Sequence, residues 1–284
     1  MSVALHELQA RGMTFRCRQA GRTGEPVVLL HGFPETSHMW VELMGALSEA
    51  GYRCLAPDQR GYSPGARPLD PADYVLSELA ADVLALADTA GFERFHLIGH
   101  DWGAGAGWAV VGVAPERVLS WTALSVPHVV AFRNRILNDP DQQERSGYMN
   151  LFRQKGTAEQ ALSQNDFAAL RNIWSASSAE LLEDYLSVLS QPDALTGALN
   201  WYRAAGGFAS EPASMELGPI DVPTLFIWGS GDRAIGRSAA EDCAQHMNGP
   251  YSFVELDAGH WLIQEAFPRV SSEILAHLRK NEAS

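Results

Sequence analysis

The sequence is poor in cysteine and in basic residues. Its 284 residues include three cysteines, Cys17, Cys54 and Cys243, with no CxxC pair and no Cys–His spacing typical of a metal site. Lysine and arginine number 21 against 34 aspartates and glutamates, which gives a net charge of −13 without a basic cluster. Because nucleic acids and anionic membranes bind basic patches, neither is expected as a partner.

Long apolar runs and targeting signals are also lacking. No stretch approaches the roughly 18 consecutive apolar residues of a membrane span, and no basic N-terminal segment precedes an apolar one. With an odd number of scattered cysteines, these absences predict a cytoplasmic protein. The hydrophobic content of 46% is that of a globular protein, as one domain with an inserted lobe or as two small domains.

Strand and helix patterns alternate in the first half of the chain. Residues 3–8 and 13–18 alternate apolar with polar side chains, as in an antiparallel hairpin. Residues 26–32 form an apolar run, which is typical of a strand covered on both faces in a parallel sheet. This rhythm of strands and helices predicts a doubly wound α/β sheet.

The rhythm changes after Pro127. From about residue 128 to residue 217 the periodicity is helical, and capping boxes at residues 157–160 and 177–180 predict two helix starts. We therefore expect an all-helical insertion in this part of the chain.

Strand patterns return in the last quarter, at residues 222–228 and 251–256. The resulting division predicts an α/β core of residues 1–127 and 218–284 that carries a helical cap of residues 128–217. The sequence indicates nothing about the oligomeric state.

Two glycines mark a tight turn between a strand and a helix. The segment Gly99-His100-Asp101-Trp102-Gly103 joins an apolar strand to a run of small residues. Glycine two positions before and after the apex removes side chains that would clash, so Asp101 stands clear of the sheet. The helix N-terminus favours an ionised carboxylate there. The turn alone fits either a nucleophile or a simple helix N-cap.

Polar residues follow three further predicted strands. His31-Gly32-Phe33-Pro34 ends the apolar strand, and Asp232 and His260 follow the two late strands. Ligands of parallel sheets bind beyond the carboxyl ends of the strands. Asp101, Asp232 and His260 therefore emerge at one edge, in the chain order nucleophile, acid, histidine that serves acyl and alkyl transfer in α/β folds.

Related motifs extend over almost the whole chain. They are His31-Gly32-Phe33-Pro34-Glu35, Asp58-Gln59-Arg60-Gly61-Tyr62, Gly99-His100-Asp101-Trp102-Gly103, Asp232, Gly259-His260-Trp261, Leu199-Asn200-Trp201-Tyr202-Arg203, and Tyr148 within Gly147-Tyr148-Met149-Asn150-Leu151-Phe152. The chain resembles the α/β-hydrolase superfamily and, within it, the soluble-type epoxide hydrolases. The resemblance implies the α/β-hydrolase fold, and it implies hydrolysis of epoxides to vicinal diols through an alkyl ester.

The resemblance also implies roles for individual residues. Asp101 is the expected nucleophile, and His260, oriented by Asp232, is the expected base that activates water. Tyr148 and Tyr202 match the two ring-opening tyrosines of the family. Their phenols, with pKa values near 10, remain protonated donors at neutral pH.

An oxyanion hole and an aromatic pocket complete the expected site. The backbone amides of Phe33 and Trp102 are the predicted donors to the oxyanion. The expected substrate is a hydrophobic epoxide, with water as co-substrate and with no metal or cofactor. The side chains predicted to line the pocket are Trp102, Phe152, Trp174, Trp201 and Trp261.

Two alternative functions are open to the same residues. A haloalkane dehalogenase uses the same aspartate ester, but it often has asparagine in place of Phe33 and requires no proton donor for a leaving halide. Phe33 and the two tyrosines therefore favour the epoxide. A non-catalytic receptor with this fold would usually have lost a triad member, whereas all three are present here.

Overall fold

A computed structural model describes residues 3–204 and 217–283. In the described residues, eight strands form one sheet in the order β1-β2-β4-β3-β5-β6-β7-β8. The strands are Ala4–Ala10 (β1), Met13–Ala20 (β2), Pro26–Leu30 (β3), Arg53–Pro57 (β4), Phe95–His100 (β5), Val118–Leu124 (β6), Thr224–Gly229 (β7) and Tyr251–Leu256 (β8). Strand β2 runs antiparallel to its neighbours β1 and β4, and the remaining pairs are parallel.

Helices connect the strands and cover the sheet. They are Val41–Glu49 (α1), Leu76–Thr89 (α2), Trp102–Val113 (α3), Val129–Asn138 (α4), Pro140–Arg145 (α5), Met149–Phe152 (α6), Thr157–Ile173 (α7), Ala179–Leu189 (α8), Ala194–Ala204 (α9), Arg237–Asp242 (α10) and Leu262–Lys280 (α11). Helices α2 and α3 pack together, as do α1 and α11. Every residue of β3, β5, β6 and β7 is buried, as expected for strands covered on both faces. The predicted doubly wound sheet is confirmed.

The described residues between β6 and β7 form helices joined by short connections, with one isolated β-bridge at Ile220. This segment contains α4 to α9, which we call the insert, and residues 205–216 of the predicted cap lie outside the described residues. Helix α9 packs against a 3₁₀ turn at Pro71–Tyr74, and α8 packs against another at Ser37–Trp40. These contacts hold the insert against the loops at the carboxyl ends of the strands. The predicted domain boundaries remain a prediction.

An ionic cluster joins α8 to the core. Asp184 accepts a hydrogen bond from Arg18 at 2.7 Å and one from the Thr36 hydroxyl at 2.5 Å, and it lies 3.3 Å from His38. Burial would raise the pKa of the Asp184 carboxyl, but these neighbours together with Arg16 hold it well below its usual range. The carboxylate is therefore charged at neutral pH and anchors the insert.

Two helix starts differ by one residue from the predicted capping boxes. Helix α8 is capped by Ser178, whose hydroxyl accepts from the Leu181 amide, because Ser177 is drawn into the preceding turn by its bond to the Trp174 carbonyl. Helix α7 is preceded by Gly156 at a φ of +83°, whose amide donates to the Glu159 carboxylate. Each start thus has one half of a capping box, one residue away from the predicted position. No helix among residues 3–204 and 217–283 is long and apolar enough to cross a bilayer.

Candidate active site

The turn that carries Asp101 has no room for side chains around it. Asp101 has a φ of +52°, which is uncommon for a non-glycine residue. A Cβ on Gly103 would lie 2.1 Å from the Leu30 carbonyl oxygen, and a Cβ on Gly99 would lie 2.4 Å from that of Gly103. A Cβ on Gly32 would lie 2.3 Å from the Asp101 carboxylate. The glycines therefore allow neighbouring strands to close around a projecting aspartate.

Main-chain and side-chain donors surround the Asp101 carboxylate, which is only 8% exposed. The amide of Phe33 donates to Oδ1 at 2.8 Å, and Nε2 of His260 lies 3.5 Å from Oδ2. Burial would raise the pKa of this carboxyl, but His260, His100 and the backbone amide of Trp102 lower it below its usual range. Asp101 is therefore an anion in a nearly dry position.

His260 and Asp232 form a buried pair beside it. Nδ1 of His260 lies 2.7 Å from Oδ2 of Asp232, which leaves Nε2 facing Asp101. The other oxygen of Asp232 accepts from the amides of Ala234 and Ile235 at 2.7 and 3.0 Å. Burial would lower the pKa of His260, but the two carboxylates raise it well above its usual value. The two neighbouring carboxylates therefore favour the protonated imidazole in the free protein.

Tyr148 and Tyr202 approach from the insert. Their ring centroids are 6.3 Å apart in an edge-to-face arrangement, and the Tyr202 ring also packs on Phe33 and Trp102 at 5.4 and 5.1 Å. Burial and the negative charge of Asp101 raise the pKa of both phenols above the usual value. Both hydroxyls therefore stay protonated at neutral pH.

A single cavity brings these groups together. Its volume is about 720 Å³, and its wall includes Asp101, His260, Tyr148 and Tyr202. The remaining lining residues are Phe33, Pro34, Phe152, Asn172, Ile173, Ser175, Ala176, Gly231, Arg233, Ala234, Gly259, Trp261 and Glu265. Such a volume suits a small organic substrate. The site combines the carboxylate of Asp101, the His260–Asp232 pair and the two neutral tyrosine hydroxyls.

Comparison with known proteins agrees with the fold. Residues 25–267 match a family model described as alpha/beta hydrolase fold. The chain belongs to the α/β-hydrolase family. It is 33% identical to AB hydrolase superfamily protein YfhM of Bacillus subtilis over 97% of each chain. It is 32% identical to epoxide hydrolase A of Mycobacterium tuberculosis over 95% of this chain and 96% of the relative.

A solved structure extends the likeness to three dimensions. Epoxide hydrolase A from Mycobacterium thermoresistibile superposes with a TM-score of 0.84 at 29% identity, and the match covers 100% of both chains. This α/β-hydrolase is therefore an enzyme whose relatives include epoxide hydrolases, and the predicted fold and family are confirmed.

The aromatic side chains predicted to line the pocket of this α/β-hydrolase fall into two groups. Phe152 and Trp261 line the 720 Å³ cavity. Trp102 lines a smaller chamber of about 30 Å³ whose wall also includes Asp101 and His260. Trp174 and Trp201 are not among the residues that line these two chambers.

Both tryptophans are buried in packing contacts. Trp174 lies against Tyr185, at 5.3 Å between ring centroids. Trp201 donates its indole N–H to the Arg60 carbonyl at 2.8 Å and packs edge to face on Trp102 at 5.9 Å. Neighbouring positions on a helix point in different directions, so Trp201 supports the wall that Tyr202 lines.

Glu35 is a buried acid close to His100 and His260, and it was not among the site residues predicted from the sequence. Glu35 is fully buried, and its Oε1 accepts from the Tyr185 hydroxyl at 3.0 Å and from Gln264 at 2.6 Å. Its Oε2 lies 3.2 Å from Nδ1 of His100, whose Nε2 donates to the His260 carbonyl at 2.9 Å. The signal available in the sequence was an acidic residue directly after His31-Gly32-Phe33-Pro34, the segment that follows the apolar strand.

Proposed function

We propose that this α/β-hydrolase converts epoxides to vicinal diols through a covalent ester on Asp101. The observation that carries the proposal is the chamber in which an anionic carboxylate faces two protonated phenols. A carboxylate can attack a saturated carbon, and the alkoxide that leaves from an epoxide requires a proton donor. Tyr148 and Tyr202 supply that donor.

In the first step Oδ2 of Asp101 attacks a ring carbon and the ring C–O bond breaks. Oδ1 accepts from the Phe33 amide, so it becomes the carbonyl oxygen of the ester. The epoxide oxygen takes a proton from one of the two phenols as the bond breaks. The Phe33 and Trp102 amides then lie at the position where the second step develops negative charge.

In the second step His260 removes a proton from water, and the water oxygen bonds to the carbonyl carbon of the Asp101 ester. Esterification neutralises Asp101 and so removes one of the two charges that raise the pKa of His260. The imidazolium can then pass its proton to the phenolate left by the first step, which restores the phenol, and the neutral imidazole acts as a base while Asp232 holds its orientation. Collapse of the tetrahedral intermediate breaks the bond between the carbonyl carbon and the substrate-bound oxygen, and the leaving alkoxide takes the proton of the newly added hydroxyl. The diol is released, Asp101 is again a carboxylate, and His260 again carries a proton, now one taken from water.

The insert acts as a lid over this chamber, and the substrate is a hydrophobic epoxide. Phe33, Phe152 and Trp261 supply aromatic surface around Asp101, while Arg233 and Glu265 give the lining some polar character. A leaving halide would require no protonated phenol. The paired tyrosines therefore favour the epoxide over the haloalkane.

The decisive experiment uses His260→Gln, which blocks the second step and leaves the first intact. Exposure to a styrene-oxide-like epoxide is expected to produce a stable adduct on Asp101, seen by intact mass and located by peptide mapping. His6→Gln, on the exposed part of β1, is the matched control and turns over normally.

A parallel panel of bromoalkanes separates the dehalogenase. Halide release without diol formation, or the absence of any adduct in His260→Gln, would show that the proposal is wrong.

A further inference from the structure

The peptide groups on both sides of His260 are held by side chains that the reaction scheme does not use. The Glu265 carboxylate accepts from the Gly259 amide at 2.5 Å and from the Trp261 amide at 3.3 Å. Its two oxygens therefore bracket the histidine along the chain. Glu265 also lines the cavity that contains Asp101.

The opposite side of the same segment is held by its carbonyl group. The His260 carbonyl oxygen accepts from the Ser125 hydroxyl at 2.7 Å and from Nε2 of His100 at 2.9 Å. It also accepts from the Leu262 amide at 3.0 Å, at the start of α11. The main chain of His260 is thus restrained in two directions.

Ser125 reaches this position with a strained backbone. It directly follows β6, is fully buried and has a φ of +67°, in the left-handed region that non-glycine residues rarely adopt. Its amide donates to the Ile227 carbonyl at 2.9 Å, which holds the residue between two strands. Strain of this kind persists where the surroundings impose it, and it often occurs at functional sites.

Glycine at position 259 is what allows the carboxylate to approach. A Cβ on Gly259 would lie 2.8 Å from Oε2 of Glu265. The main chain of Glu265 is itself held, because its amide donates to the Trp261 carbonyl at 2.9 Å. The segment from Gly259 to Glu265 is therefore closed by hydrogen bonds into a loop that contains His260, and we call this loop the clasp.

We propose that Glu265 and Ser125 are positioning residues that hold His260 at the distance and angle needed to activate water. The inference rests on the proposed function, because only the second step uses His260 as a base. Ring opening depends on Asp101 and the tyrosines. Loosening the clasp therefore slows ester hydrolysis selectively, whereas a merely structural defect weakens both steps alike.

The test is a rapid-quench, single-turnover experiment on the full chain, with the rise and decay of the Asp101 adduct followed by intact mass. In Glu265→Gln one carboxylate oxygen becomes an NH₂ group, which cannot accept from an amide. We expect adduct decay to slow by about tenfold or more, since small displacements of catalytic groups can cost about 100-fold. Adduct formation should change less than about twofold, so the ester accumulates.

Glu273→Gln is the matched control, because Glu273 lies on the same helix and pairs with Arg269 at the surface, 2.6 Å away. The Asp101 adduct of this variant should decay at the same rate as that of the unaltered enzyme. Adduct decay in Glu265→Gln at the control rate, or an equal loss in both steps, would overturn the role of Glu265.

Ser125→Gly provides a second variant that separates positioning from folding. Glycine relieves the positive φ while removing the hydroxyl, so stability is retained while adduct decay slows. Normal decay in this variant would remove Ser125 from the proposal. If no epoxide forms an adduct even in His260→Gln, the proposed function itself is wrong and the positioning role is overturned with it.

Discussion

The core and the insert contribute different kinds of chemistry to the cavity. The core supplies the charged groups, Asp101, Asp232 and His260, each at or just after the carboxyl end of a strand. The insert supplies Tyr148 and Tyr202, which stay neutral. The core groups are fixed by hydrogen bonds to the main chain, whereas the tyrosines are positioned by ring contacts with Phe33, Phe152 and Trp102.

The difference follows from the cost of burying charge. A buried carboxylate requires hydrogen-bond donors, and backbone amides at strand ends and turns provide them at fixed positions. A phenol buries most of its surface as an apolar ring and needs only a place for one hydroxyl. The charged half of the site therefore depends on backbone geometry, while the neutral half can be built on helices that only pack against it.

The largest effect is expected in the core, at the nucleophile. Asp101→Asn removes the negative charge and should lower kcat/KM by at least about 10⁴-fold, the scale on which the loss of a catalytic nucleophile is felt. Asp257→Asn, on the exposed loop after β8, is the matched control. Initial rates provide the measurement, and intact mass verifies that the introduced amide has not been hydrolysed. Turnover by a D101N sample verified in this way would exclude the ester route.

Replacing the tyrosines should have a smaller effect, and only on ring opening. We expect Tyr202→Phe to slow adduct formation by about 100-fold, at the lower end of the range for a general acid, and Tyr148→Phe to have a smaller effect of about tenfold because the other phenol remains. Tyr202 is expected to be the more important donor because it is 2% exposed and its ring is held against Phe33 and Trp102, whereas Tyr148 is 36% exposed and is held less firmly.

Single-turnover adduct formation measures the effect, with Tyr52→Phe, whose hydroxyl donates to Glu282, as the control. Equal loss in adduct formation and decay would mean that the insert does more than supply protons.

The two steps should also differ in their response to pH. The carboxylates raise the pKa of His260 in the free enzyme, and esterification of Asp101 lowers it again. Adduct decay requires the neutral imidazole, so its rate should fall as pH decreases through the pKa of His260 in the ester. That pKa should be lower than the one found by titrating the free enzyme.

The rate of adduct decay from about pH 5 to about pH 9 gives the pKa of His260 in the ester, and a histidine titration by NMR gives its pKa in the free enzyme. Identical values would contradict a resting ion pair between His260 and Asp101.

The smallest effect on activity is expected where the insert is anchored. Asp184→Asn leaves Arg16 and Arg18 without their charged partner on α8, and breaking such a pair destabilises by about 3 kcal/mol. The midpoint of thermal unfolding should fall, while kcat changes by less than about threefold at temperatures below it, because the tyrosines lie elsewhere on the insert. Glu180→Gln, an exposed neighbour on the same helix, is the control.

More of the core than of the insert could be predicted from the sequence, because the core groups are fixed by backbone geometry and the insert groups by helix packing. Asp101, Asp232 and His260 could be located from the sequence because glycine turns and strand ends are local properties of the backbone. Tyr202 could be found through its motif, but the direction of Trp174 and Trp201 depends on how helices pack, which their spacing does not reveal. Glu265 and Ser125 were missed because side chains that bind main-chain amides and carbonyls leave no pattern of residue types.

The division between the two regions also has an evolutionary consequence. Strands β6 and β7 are adjacent in the sheet, and the insert leaves the core after one and returns before the other. A lineage can therefore remodel the helices between them, and with them the compounds that fit, provided that Tyr148 and Tyr202 stay in place, while the strand-borne residues are inherited unaltered. Substrate range can then diverge among descendants that all keep the same reaction.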